Sequence, residues 1–379
     1  MRAIVVGAGV VGSSVAYRLA QAGARVVLLD AGPVGGGTSR VSYAWVNACE
    51  KLTRHDYFAL NFAGWRAHQA LAEEFGALPW LHRPGVLQWD GAGAEATGLG
   101  EEDFDKFARL REWGYPVELL SADDVRRLEP DVDTESAGNG PILHYPEDGW
   151  CDGPVYAGAM AAAARDRHGA TLRPYTRIAG LVIEGRQVSG VRTADGEQIG
   201  ADIVVNCAGR WANEAAAAPE AEVPLAPTLG LIAYTAGTST SLQRALRTPL
   251  VNLRPDGAGR LLLRSNELDR VAAGDASLVP GGWTSPGQPQ AQELARRTQQ
   301  LMPALGPVEV EAVRVAIRPI PKDGFPAIGP VRDLGGYYVV VTHSGVTLAP
   351  FLGIAVADEI VHGRLRDALA PFRPARLLA

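Results

Sequence analysis

An α/β fold follows from three features of the 379-residue chain. RAIVV (2–6) is a short apolar run of the kind a buried parallel strand uses. GAGVVG (7–12) follows it and opens a helically spaced stretch, VVGSSVAYRLAQAG, that stops at Gly23. RVVLLD (25–30) is a second apolar run ending in an acid. Strand, glycine turn, helix, strand and acid make a Rossmann-like unit that binds a dinucleotide.

Each part of that unit has a physical reason. Gly7 makes the tight turn, Gly9 lets backbone approach a pyrophosphate, and Gly12 lets helix pack on strand. Val10 and Val11 open the helix, whose N-terminal N–H groups and partial positive charge suit an anion. Asp30 stands 18 residues after Gly12, close to the spacing of a carboxylate that holds a ribose hydroxyl. An acid there, with Ala31 after it, disfavours a 2′-phosphate and hence NADP.

The bulk numbers set limits. A chain of this length suggests two or three domain-sized units. Its 47% hydrophobic and 21% charged residues are ordinary for a globular protein. Net charge −6 offers no basic patch for nucleic acid. Cys49, Cys151 and Cys207 are scattered, so neither a metal site nor a disulfide framework is expected, and a reduced, cytoplasmic setting is the default. Glycines 7, 9 and 12 interrupt the apolar N-terminus, which reads as strand and turn rather than signal peptide. No uninterrupted 18-residue apolar stretch suggests a membrane span. Oligomeric state stays open.

The segment after Asp30 distinguishes two cofactors. An NAD-dependent unit would go on to another helix and strand. AGPVGGGTSRVSYAWVNA (31–48) is instead a glycine-rich loop with Thr38, Ser39 and Ser42, suited to backbone passing along an extended cofactor. Hydroxyls at 38 and 39 are donors for phosphate or ribitol. Further on, DIVVN ends at a small-residue turn containing Ala208 and Gly209 and followed by Trp211, which permits close approach of a ligand. EGRQ and ADGE are turn signals for hairpins within 176–205. YYVVVT, then HSG, then a helical pattern ending at Gly363 place a second helix N-terminus after a strand. There His343 is either a site residue or a capping one.

Four stretches, 5–30, 35–48, 201–214 and 317–353, together resemble the D-amino acid oxidase, glycine oxidase and sarcosine oxidase superfamily of FAD-dependent amine oxidoreductases. The resemblance implies a discontinuous FAD-binding domain (1–48, 151–222 and 320–379). It also implies an α+β substrate domain with a mixed or antiparallel sheet (49–150 and 223–319). The backbone of Ile178 would hold the adenine. The His343, Ser344, Gly345, Val346, Thr347 turn would meet the flavin's pyrimidine edge. Arg318, before Pro319, would clamp a substrate carboxylate over the flavin; a structural ion pair, or Arg314 in its place, is the alternative. Trp45 and Asn47 are candidate site residues or, equally, a core aromatic and a turn amide. Monomeric sarcosine oxidases attach FAD through a cysteine near the position of Arg318. Here Ala316, Ile317 and Arg318 occupy that neighbourhood, so the FAD is expected to be non-covalent.

In the inserted regions, 57–76, 103–114, 121–129 (capped by Ser121 and Asp124) and 289–302 read as helices, the last as the one helix of 223–319. LGLIAYT, PLVNLRP and GRLLLRS read as strands carrying Tyr234, Asn252 and Arg264, whose phase stays open. GAGAEATGLG (91–100) reads as an exposed loop. Trp45, Tyr57, Phe58, Phe62, Trp65, Trp80 and Trp89 read as core before pocket lining. The expected activity is hydride transfer from the α-carbon of an amine or amino acid to flavin N5, with oxygen as acceptor. A 2-hydroxy acid dehydrogenase, an NAD enzyme and a non-catalytic FAD-binding subunit are the alternatives.

Overall fold

The computed structural model describes residues 1–89, 103–137, 141–275, 277–278, 280–281 and 283–377. The expected loop at 91–100 lies outside them. The chain forms two compact units: 1–80, 151–228 and 317–379 in the first, 81–150 and 229–316 in the second.

The first unit is built on a six-stranded sheet. Its order is Ala327–Pro330, Tyr337–Val341, Ile203–Asn206, Arg2–Val6, Arg25–Leu29, Thr171–Arg173. All neighbours are parallel except the edge strand Ala327–Pro330. Register puts Val6 beside both Leu29 and Asn206, and Asn206 beside Val339. The carboxyl ends of the four central strands are therefore level, and the turns that leave them emerge along one edge. In open parallel sheets that edge is where ligands bind.

One face of this sheet packs on a three-stranded antiparallel meander, Ile178–Glu184, Gln187–Thr193 and Gln198–Gly200. Ile4, Val6, Val204 and Val339 meet Val188 and Val191 there in one apolar cluster. Helix Val10–Gln21 packs between Gly153–His168 and Gly345–His362. The crossing with the C-terminal helix is close: a Cβ at Gly353 would stand 2.6 Å from Ser14 Oγ. Gly345–His362 is also the one described helix long and apolar enough to cross a membrane, yet it packs inside the unit.

Helix Gly153–His168 was not foreseen. Its Ala-rich sequence has no apolar period to detect. Asp152 caps it through Val155 N, Pro154 lies in its first turn, and left-handed Gly169 ends it. Helix His55–Phe75 corrects a boundary. Its sequence falls in the segment expected with the second domain, but it packs on Gly345–His362 in the first unit.

The second unit is built on a nine-stranded mixed sheet, with Ala245–Arg247 parallel to Val86–Gln88 and the other described pairings antiparallel. Leu231, Ala233, Leu253, Leu261 and Leu263 pack one face against Leu268, Ala272, Leu294 and Leu301. The last four lie on Asn266–Ala273 and Pro289–Leu301, so 223–319 holds two helices rather than one. Asn266–Ala273 is too short to show a clear period. The Ser121–Asp124 capping box is present as expected.

Candidate active site

Two glycines of the turn, Gly7 and Gly12, have no room for a side chain. Gly7 has φ +98°, and a Cβ there would meet Cys207 O at 2.6 Å. A Cβ at Gly12 would lie 1.7 Å from Gly7 O. At Gly9 it would reach Ser39 Oγ at 3.0 Å, the hydroxyl that accepts from Val10 N at 3.1 Å. Val11 and Gly12 follow in the first turn, where a helix offers their N–H groups no internal acceptor. The result is a tight backbone cradle at a helix N-terminus, whose N–H groups suit an anion.

Asp30 completes the cradle. Its two oxygens accept from Ala8 N at 2.6 Å and Gly32 N at 2.8 Å. Burial raises its carboxyl above the ordinary value, against those two donors. Each oxygen keeps a further lone pair for a hydroxyl. The carbonyl of Asp30 accepts from Thr176 N, which brings the start of the Ile178–Glu184 strand beside it. Ala31 is exposed next to them.

The remaining predicted cofactor residues gather along the same edge of the sheet. Thr38 and Ser39 lie in a single 3₁₀ turn, and a Cβ at Gly37 would stand 3.2 Å from the Trp211 ring. Ala208 N donates to Asn206 Oδ1, and Gly209 has φ +58°. Ser42 Oγ accepts from Ala44 N. Ser344 N donates to Thr342 Oγ1, and Gly345 lies against Val11, where a Cβ would be 3.2 Å from the Val11 side chain. The second helix N-terminus thus stands beside the first. The side chain of His343 is exposed.

Trp45 and Asn47 are buried. Thr347 Oγ1 donates to Trp45 O and accepts from Asn47 N, both at 3.3 Å. The Asn47 side chain donates to Trp45 O and accepts from Glu50 N. Asn47 therefore stitches its own loop, and that loop to the 343–347 turn. No sequence signal marks Thr347 as this staple. Lys51 Nζ lies 5.8 Å from the centre of the Tyr57 ring.

Arg318 is half-buried on the strand Val310–Pro321. Its neighbours in the chain lie beside the 31–48 loop and the Gly209 turn. Thr38 Oγ1 donates to Ile317 O at 3.3 Å, and Pro319 stands 3.9 Å from where a Cβ at Gly209 would be. Arg314, in the second unit, lies over the Tyr234 ring at 5.8 Å.

The second unit settles a phase the sequence left open. Since Leu231, Ala233, Leu253, Leu261 and Leu263 fill the core, alternation turns Tyr234, Asn252 and Arg264 to the opposite face. Arg247, Asn252 and Arg264 are direct neighbours across three strands. Arg264 is ion-paired to Asp269 at 3.0 Å. The aromatics between 45 and 90 are mainly core; Trp89, Phe58, Trp80 and Trp65 are all buried.

The residues fit a dinucleotide that extends beyond one nucleotide. A Cβ at Gly7 or Gly12 would fill the cradle, Asp30 offers acceptors, and polar groups continue through 38–39 and 343–347. Among the described residues no cluster could hold a metal ion.

The sequence profile of the family described as FAD dependent oxidoreductase matches residues 2–359. Glycine oxidase of Geobacillus kaustophilus is 26% identical over 97% of this chain and 95% of its own length. The crystal structure of glycine oxidase from that organism superposes with a TM-score of 0.82, covering 99% of both chains at 24% identity. Iminodiacetate oxidase from a Chelativorans species superposes with a TM-score of 0.79 at 24% identity, over 98% of this chain and 99% of its own.

Proposed function

The chain belongs to the FAD-dependent oxidoreductase family, and from that premise we propose that it oxidises a small amino or imino acid, with dioxygen as electron acceptor. The reaction converts the carbon–nitrogen single bond to an imine, which water hydrolyses to an oxo acid and ammonia or an amine. The two electrons and two protons reduce dioxygen to hydrogen peroxide.

The position of Arg318 carries this proposal. Thr38 holds the carbonyl of Ile317, and Pro319 lies close to the Gly209 turn, so the backbone that carries Arg318 runs beside the loop that follows the glycine cradle. A planar, permanently charged fork suits a carboxylate. The glycine oxidases and the iminodiacetate oxidase that resemble the chain support a small carboxylate-bearing amine.

The chain's own residues have defined tasks. The Gly7–Gly12 cradle and the helix after it receive the pyrophosphate. Asp30 accepts from the ribose hydroxyls, with Ile178 beside it for the adenine. Thr38, Ser39 and Ser42 line the path onward. The backbone of 343–347, at a helix N-terminus, favours negative charge near the flavin's pyrimidine. FAD, when bound, supplies the hydride acceptor at N5. Arg318 orients the substrate so that its α-hydrogen points there, and exclusion of water keeps that geometry. Position and electrostatics suffice, so neither a paired carboxylate nor a nucleophile is assigned.

An anaerobic visible spectrum tests the proposal. Glycine, sarcosine, iminodiacetate, D- and L-amino acids and 2-hydroxy acids are added in turn. Bleaching by an amino or imino acid, with peroxide formed on admitting air, is expected. Bleaching by 2-hydroxy acids alone would replace the substrate class. A bound flavin that nothing bleaches would favour a non-catalytic subunit.

A further inference from the structure

Helix His55–Phe75 lies along the 344–348 turn and touches it with one face. Tyr57 Oη is 3.2 Å from Ser344 Oγ. A Cβ at Gly64 would stand 2.6 Å from Thr347 O and 3.1 Å from Leu348 Cα. His68 Nε2 is 2.8 Å from Val346 O. Positions 57, 64 and 68 differ by seven and four, which puts them on one helix face.

The His68 contact has a specific cause. In an α-helix the carbonyl of residue 346 accepts from the N–H of residue 350. Residue 350 is a proline inside the helix Gly345–His362, and it has no N–H. The Val346 carbonyl would otherwise be a helix acceptor without its partner, in a part of the unit where His68 is only 1% exposed. A carbonyl oxygen only accepts, so Nε2 of His68 carries the hydrogen.

We propose that His68 supplies, from a neighbouring helix, the hydrogen bond that Pro350 cannot make, and thereby positions the 343–347 turn for the flavin. His68 is a positioning residue: it touches the turn and not the reacting atoms. Gly64 lets the two helices approach closely enough for the bond to form. The proposal rests on the assignment of that turn to the flavin made under Proposed function, and its test separates the two.

His68→Phe, His68→Gln, Pro350→Ala and the His68→Phe/Pro350→Ala double variant are compared. FAD affinity is measured by titrating flavin-free protein, together with the visible spectrum of the reconstituted protein and the thermal midpoint of the flavin-free form. His68→Phe is expected to weaken FAD binding by about tenfold, the worth of one net hydrogen bond, and to shift the flavin band. His68→Gln, which keeps a donor, recovers most of the loss. In the Pro350→Ala background, where the helix regains its own N–H, His68→Phe costs roughly threefold or less. Equal losses with and without Pro350→Ala, or a His68→Phe protein with unchanged affinity and spectrum, would overturn the proposal. If His68→Phe does not fold, His68→Gln is compared with a His68→Ala variant in both backgrounds. If even the unaltered protein takes up no FAD, the flavin assignment fails, while the His68–Pro350 coupling is still read in the flavin-free midpoints; its absence there sinks the pairing as well.

Discussion

Thr38 Oγ1 donates to the carbonyl of Ile317 at 3.3 Å, joining residues 279 positions apart. The bond ties the loop that follows the glycine cradle to the residue before Arg318. Thr38→Val removes the donor and keeps the shape. We expect KM to rise about threefold to tenfold with kcat nearly unchanged, because a net hydrogen bond is worth ~1 kcal/mol and its loss loosens the clamp rather than deleting it. Steady-state kinetics on the responding substrate read this split. Arg318→Met should cost far more, roughly 100-fold in kcat/KM, as expected for a charged hydrogen bond of ~3 kcal/mol. Arg318→Lys should fall between, since it keeps charge and loses the fork.

The glycines of the cradle predict a graded series. A Cβ at residue 12 would overlap backbone oxygen at 1.7 Å, whereas at residue 9 it meets a side-chain hydroxyl at 3.0 Å. Gly12→Ala should therefore abolish FAD uptake or folding. Gly9→Ala should fold and weaken FAD binding by about tenfold or more, because Ser39 turns aside but the cofactor's approach is narrowed. Flavin content after purification and FAD titration rank the two. Equal behaviour would contradict the close-approach account.

Cys49, Cys151 and Cys207 are all buried, and burial pushes the Cys207 thiol well above its ordinary value. A thiol that stays protonated is a poor nucleophile. No cysteine lies near Arg318 in sequence. Acid precipitation should release all the flavin to the supernatant. Yellow colour in the washed pellet would show a covalent link.

What could be read from the sequence was local. Gly7, Gly9, Gly12 and Asp30 lie within one βαβ stretch, where spacing alone fixes the geometry. The strand phase of Tyr234, Asn252 and Arg264 was out of reach, because it depends on which face of the sheet the two helices cover. The domain of helix His55–Phe75 was also hidden, since sequence order does not say which layer an inserted helix joins. Two clues were present. Gly64 inside a helical pattern costs ~1 kcal/mol relative to Ala, and such a glycine usually has a packing reason. Pro350 inside another helix leaves a carbonyl needing a donor. Only the folded chain shows that the helix carrying Gly64 packs on the 344–348 turn and brings His68 to the Val346 carbonyl that Pro350 leaves without a helix donor.

Glu359 predicts a pH dependence. It is buried and accepts from Arg373 Nη1 at 2.8 Å, from Arg373 Nη2 at 2.5 Å, from Arg366 N at 2.9 Å and from Tyr338 Oη at 2.7 Å. Burial alone would raise its carboxyl, but Arg373, the Arg366 N–H and Tyr338 outweigh it and hold the value below the ordinary one. A carboxyl lowered in the folded state contributes stability that is fully present above its unfolded pKa, about 4.3, and lost as pH falls through the folded value. The same holds for Asp323, where burial is opposed by Arg376, bound at 2.7 Å, and by Phe325 N. Both contacts fasten the final segment to the unit that carries Arg318. Thermal midpoints should therefore be flat from neutral pH down to about 5 and drop steeply below about 4. Glu359→Gln leaves Arg373 without its carboxylate and should cost about 3 kcal/mol at neutral pH, the toll of breaking a buried pair. Its midpoint should then vary less with pH below 5 than that of the unaltered protein. An unchanged acid slope in Glu359→Gln would mean that other carboxylates govern the acid transition.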